Sequence, residues 1–185
     1  MTSDIQRRMT ELEDLVIKNR DSISDRTGVP FVVFTYDPDQ ELKMEEEVDV
    51  FLNKLEHEGI DFVSIDMRDT FFSLLEQEGI LDRVADIEKE DRSKLSEGLN
   101  SSFFEEVEGK EGTLIGEILN RVEGHEVAIV YRAGILHPFT SISVIFSKLE
   151  NKVDVPLVVF YPAEKENGVK FLGETESSYY RARVI

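Results

Sequence analysis

Val127–Tyr131 and Val155–Tyr161 are short apolar runs, bounded by turn residues and rich in β-branched and aromatic side chains. A strand with one wet face alternates apolar with polar residues. A strand covered on both faces does not, and that is the pattern of a parallel sheet. Between the two runs, Pro138 stands where a first helical turn tolerates it. Phe139, Ile142, Phe146 and Leu149 then recur at three- and four-residue steps. Strand, helix and parallel strand make one βαβ unit, and the rest of the chain has to be compatible with it.

Upstream, residues 5–19 carry Ile5, Met9, Leu12 and Val16 on one helical stripe, and Phe31–Thr35 reads as a first strand. The turn after it is a helix start: Asp37 as N-cap, Pro38 at the first helical position, and Gln40 placed to complete a capping box. That helix runs through Met44, Val48, Phe51 and Leu55 and stops at Gly59, ahead of a second strand over Ile60–Met67. Asp69 is expected to cap a helix over Thr70–Glu78. Further helices are expected over Ile80–Leu99, around Phe103–Val107 and over Thr113–Val122. Val169–Leu172 and Tyr179–Ile185 read as short edge strands that could pair antiparallel. The expected fold is a three-layer α/β sandwich with a mainly parallel central sheet. It has a helical insertion between strands 2 and 3 and short C-terminal edge strands. All 185 residues form one domain, with 69–122 as the acidic helical insertion.

Charge is spread unevenly. Residues 37–117 hold 25 acids against 8 bases, which accounts for −17 of the net −18. Nucleic-acid backbones are bound by clustered Lys and Arg, so this block repels them; it suits solubility or a basic protein partner. With no cysteine there is no thiolate chemistry and no sulfur-ligated zinc. No apolar run approaches the roughly 20 residues that span a bilayer, and the first residues have no apolar signal region. A cytoplasmic protein is expected.

Few residues have the arrangement that chemistry requires. The turn after the first strand, YDPDQE, has carboxylates where a phosphate-binding loop has glycines, and Gly109-Lys110 lacks the upstream glycine. Asp37 and Asp39, with Asp66 after the second strand, could hold a divalent cation, although helix capping explains the same letters. Arg132 and His137 follow the third strand and could bind an anion; the plainer reading pairs Arg132 with a local acid. No nucleophile with an adjacent base accompanies them. The tail SSYYRARVI interleaves Tyr179 and Tyr180 with Arg181 and Arg183, a composition that stacks on bases or anchors an interface. Three readings therefore stand: an interaction module without catalysis or cofactor, a metal-dependent phosphoryl-transfer enzyme or nuclease using Asp37, Asp39 and Asp66, and a nucleic-acid regulator using Arg132, Arg181 and Arg183.

FTYDPDQE, YRAGILHPFTSISVIFSKLE, VPLVVFYP and the closing YYRARVI together resemble the BrxB family of BREX, the bacteriophage-exclusion system of bacteria and archaea. R-A-G…HPF followed by V-P…FYP is the most specific part, whereas 69–122 contributes no recognisable motif. The resemblance implies a small accessory subunit working beside larger BREX proteins, among them an alkaline-phosphatase-like PglZ protein, an ATPase and a DNA methyltransferase. It implies a non-enzymatic adaptor docking on PglZ, with no cofactor and no catalytic residues to carry over.

Overall fold

Phe31–Tyr36 (β1) is buried along its whole length, and its side chains divide between two cores. Phe31 and Val33 point to one face of the sheet, Val32, Phe34 and Tyr36 to the other. A strand built this way must be central and covered on both sides. The structure is a computed structural model and describes residues 4–25, 27–80, 103–105, 109–137, 139–164, 170–171 and 181–185.

The elements run in the order α1 (Asp4–Lys18), β1, α2 (Glu41–His57), β2 (Phe62–Asp66), α3 (Met67–Gln77), α4 (Thr113–Val122), β3 (Val127–Tyr131), α5 (Ile142–Leu149), β4 (Leu157–Glu164), β5 (Lys170–Phe171) and β6 (Arg183–Val184). Five strands lie in the order β2-β3-β4-β1-β6, and every pairing among them is parallel. The expected βαβ unit is β3-α5-β4, with Ala128, Ile129 and Val130 in register with Leu157, Val158 and Val159. β5 pairs antiparallel with the far end of β4, Ala163 with Phe171 and Glu164 with Lys170. The last segment differs from the antiparallel option, because β6 runs parallel to β1 with Val32 opposite Arg183.

Helices cover both faces and make the expected three layers. α1 and α2 pack through Leu12, Val16, Met44, Val48 and Phe51 against Val32, Phe34, Ile129 and Phe160; the Phe34 and Phe160 rings lie 5.2 Å apart. α3, α4 and α5 pack on the other face, where Phe31 stacks on Phe146 at 5.0 Å. The described parts of the acidic block are not an appendage. Phe71, Leu74, Phe103, Phe104, Leu114 and Ile118 are all buried in that second core. Each such side chain contributes about 1.5–3 kcal/mol of burial. The expected helix over Ile80–Leu99 lies outside the described residues, apart from Ile80.

Boundaries shift for local reasons. β2 is shorter than Ile60–Met67, since Asp66 already turns the chain: its side chain accepts the Asp69 N–H and makes Asp66, not Asp69, the N-cap of α3. α5 starts at Ile142 rather than at Pro138, which lies outside the described residues. Ala133–Leu136 forms a separate 3-10 turn, and Ser141 caps α5 by accepting from Val144 N–H.

Candidate functional site

In a parallel α/β sheet, loops at the carboxyl ends of the strands converge on the usual ligand crevice. Three loops meet there in this chain, following β1, β2 and β3.

The first loop is an elaborated helix start. Asp37 is extended (φ −66°, ψ 132°) and accepts the Asp39 N–H at 3.0 Å. Pro38–Gln40 forms a 3-10 turn before α2 begins at Glu41. The buried Tyr36 hydroxyl donates to Glu41 Oε2 at 2.6 Å. Desolvation first, and the carboxylate beside it second, push that hydroxyl far above its ordinary range, so Tyr36 is a fixed donor.

The second and third loops are joined by one guanidinium. Arg132 Nη1 donates to Asp66 Oδ2 at 2.7 Å, and its Nε donates to Glu45 Oε1 at 2.8 Å. Three segments far apart in sequence, the first turns of α2, the end of β2 and the end of β3, are thereby tied together. Its hydrogen bond to Glu45 leads in raising the Arg132 pKa, and the same bond holds the Glu45 carboxyl below its usual range. Tyr131 beside it is raised by desolvation and by Asp66. Arg132 holds this position in the left-handed region, at φ 53°, a conformation that costs a non-glycine residue about 1–3 kcal/mol.

Gly134 explains the turn that follows. A Cβ on it would stand 2.8 Å from Pro162 Cγ, so the 3-10 turn can seat against the end of β4 only with glycine there. The R-A-G and F-Y-P words of the sequence are thus two sides of one contact. Ala133 and Leu136 are buried beneath it.

The candidate residues separate into groups. Asp37 and Asp66 both serve as N-caps, and both oxygens of Asp66 are engaged, by Asp69 N–H and by Arg132. Among the described residues no group of three or more acids or histidines is placed to hold a metal ion. Asp39 is exposed. The His137 side chain is exposed, and its backbone N–H closes the 3-10 turn onto Gly134 O at 3.1 Å. Arg181 and Arg183 are not brought to Arg132. Arg181 pairs with Glu150 at 2.6 Å and Arg183 with Glu11 on α1 at 3.2 Å. Tyr179 and Tyr180 lie outside the described residues.

Two participants escaped the sequence reading. Glu45 sits 87 residues from Arg132, so no local spacing marks their pairing. Arg8 is the other: it is buried, its Cζ lies 4.7 Å from the Phe34 ring centroid, and it donates to Thr35 Oγ1 (2.9 Å), Thr35 O and Ile185 O. The available signal was a charged residue standing on the apolar stripe of α1, between Ile5 and Met9.

Among the described residues no helix is long and apolar enough to cross a membrane. No curated protein and no solved structure matches the chain. The family model described as BREX protein BrxB matches residues 63–185, two thirds of the chain. The span takes in the acidic block, Arg132, Gly134 and Pro162, and leaves out FTYDPDQE, one of the stretches that carried the resemblance. With that match the chain belongs to the BrxB family of BREX proteins.

Proposed function

We propose that this component of the BREX phage-defence system is a non-enzymatic, cytoplasmic adaptor that works by docking on a PglZ-like subunit and needs no cofactor. The observation that carries this reading is the state of the sheet's carboxyl edge. Where α/β enzymes open a crevice, the Arg132 guanidinium is closed between Glu45 and Asp66, and the aspartates of the first two loops hold helix N-termini. A phosphate arriving there meets carboxylates rather than a cradle of free N–H groups. The acidic middle of the chain adds a field that attracts basic protein surfaces and repels nucleic acid.

Co-purification tests the docking. The chain and its system's PglZ-like protein should co-elute at low and at moderate salt, and separate elution under both conditions would remove the proposal. Titration calorimetry with Mg²⁺ and Mn²⁺ addresses the enzyme alternative through Asp37, Asp39 and Asp66. The adaptor reading expects no saturable stoichiometric heat, and a one-to-one isotherm lost in Asp66→Asn would replace it with a metal site.

A further inference from the structure

α2 turns Met44, Val48, Phe51 and Leu55 into the core, and the arc opposite them faces solvent. That arc carries Leu42 and Val50, 79% and 60% exposed, the two most exposed large apolar side chains among the described residues. They stand two turns apart, about 12 Å along the axis and within about 80° of arc. Valine is a weaker helix former than the Ala, Glu or Lys that a purely solvated position favours. Glu46 and Asp49 lie between them on the same arc, both exposed and without an ion-pair partner among the described residues. The other charges of α2 are partly committed elsewhere: Glu45 to Arg132, Glu41 to Tyr36, Lys54 to Glu13.

We infer that this arc is the docking site for a basic amphipathic helix of a partner protein, a conclusion that rests on the adaptor reading and specifies the surface it uses. Two aliphatic anchors about 12 Å apart come within about 2 Å of the roughly 10.5 Å between positions i and i+7 of a facing helix. The two carboxylates between them outnumber the one exposed lysine beside them, Lys43, and favour lysine or arginine on the partner next to those anchors. The same charges disfavour the other occupants. A second copy would bring Glu46 and Asp49 against the same acids, and an anionic lipid surface or a nucleic acid would be repelled.

The test uses the full chain and a labelled helical peptide with leucines at i and i+7 among lysines and arginines, alongside a twin with serine for leucine. Fluorescence anisotropy should show the leucine peptide binding about tenfold more tightly than its twin. Leu42→Ser with Val50→Ser should remove that preference, and Glu46→Gln with Asp49→Asn should weaken both peptides and flatten the salt dependence. Val144→Ser, exposed on α5, should change neither. All these positions are at the surface, and an unchanged melting curve confirms that each variant folds. Equal binding of the two peptides, or a preference that survives the double serine variant, overturns the proposal. So does concentration-dependent self-association abolished by that variant, which gives the face to a second copy. Co-elution of the PglZ-like protein undiminished by the double serine variant sinks the site and leaves the adaptor reading intact. Peptide binding by a chain that never co-elutes with that protein does the reverse.

Discussion

Two arginines organise opposite kinds of joint in this molecule. Arg8, on α1, is sealed in, and within hydrogen-bonding reach it meets the Thr35 hydroxyl, the Thr35 main-chain carbonyl and the Ile185 main-chain oxygen; the side-chain carboxylate of Asp4 is 3.7 Å away. Burial holds its pKa below the usual arginine range. Arg132 is partly open to water, meets two carboxylates directly, and has its pKa raised. The first fastens one end of the chain and the last strand to the sheet. The second stands at the edge where a parallel sheet usually receives a ligand, and on the proposed adaptor reading it plugs that edge. A cation held mainly by main-chain oxygens is a fastening, whereas a cation among acids acts, on that reading, as a plug.

That contrast predicts where the chain is most easily broken. Arg8→Met keeps apolar bulk but leaves the Thr35 carbonyl and the Ile185 main-chain oxygen short of a buried donor. The cost should be about 3 kcal/mol, read as a lower urea midpoint. Arg8→Lys should recover only part of it, because a single ammonium cannot reproduce the guanidinium fork. A loss below about 1 kcal/mol in Arg8→Met would mean that β6 holds without its staple.

At the carboxyl edge the largest effect should come from a residue with no charge. Gly134→Ala forces a methyl against Pro162 and should cost about 2 kcal/mol through displacement of the turn. Pro162→Ala removes the obstructing ring, so the double variant should be more stable than the two single losses added together. Strict additivity would show that the two residues do not share the contact.

Arg132→Ala should cost less, about 1–2 kcal/mol, since its partners stay within reach of water. Arg132→Gly should be the more stable of the two by about 1 kcal/mol, because glycine holds φ 53° without strain. The reverse order would mean that the left-handed backbone is not what the position costs.

The apolar runs of the strands and the stripes of the helices were legible because burial on a period of two or 3.6 is written locally. So was the cap at Asp37, which depends on neighbours in sequence. The start of α5 was not. Pro138 and Ser141 are both acceptable helix openers, and the choice between them was settled by Arg132–Leu136, which use a left-handed residue and a 3-10 turn to bring Gly134 onto Pro162. For the site, a pairing of Arg132 with an acid was foreseeable, but its identity was not: Glu45 and Asp66 come to the same guanidinium through the order of strands, which no spacing encodes. Arg8 shows the converse. It was visible as an anomaly on an apolar stripe, yet two of its three acceptors are main-chain atoms, which leave no letter in the sequence.

The smallest effect discriminates best between plug and fastening. Arg132 lowers the Glu45 carboxyl from its ordinary value of 4.5. A carboxyl depressed on folding adds stability that is present above its unfolded value and is lost as pH falls through its folded one. For so open a pair that contribution is below about 1 kcal/mol. The difference in unfolding free energy between the parent chain and Arg132→Ala should therefore be largest near pH 7 and shrink below about pH 4.5 as Glu45 takes up its proton. Taking the difference cancels the many other carboxylates, which titrate in both proteins. The corresponding difference for Arg8→Met should shrink less in the same window, because Thr35 offers Arg8 a hydroxyl and a carbonyl that do not titrate there. If both differences fell together on acidification, Arg8 would depend on a carboxylate as Arg132 does, with Asp4 the first to substitute.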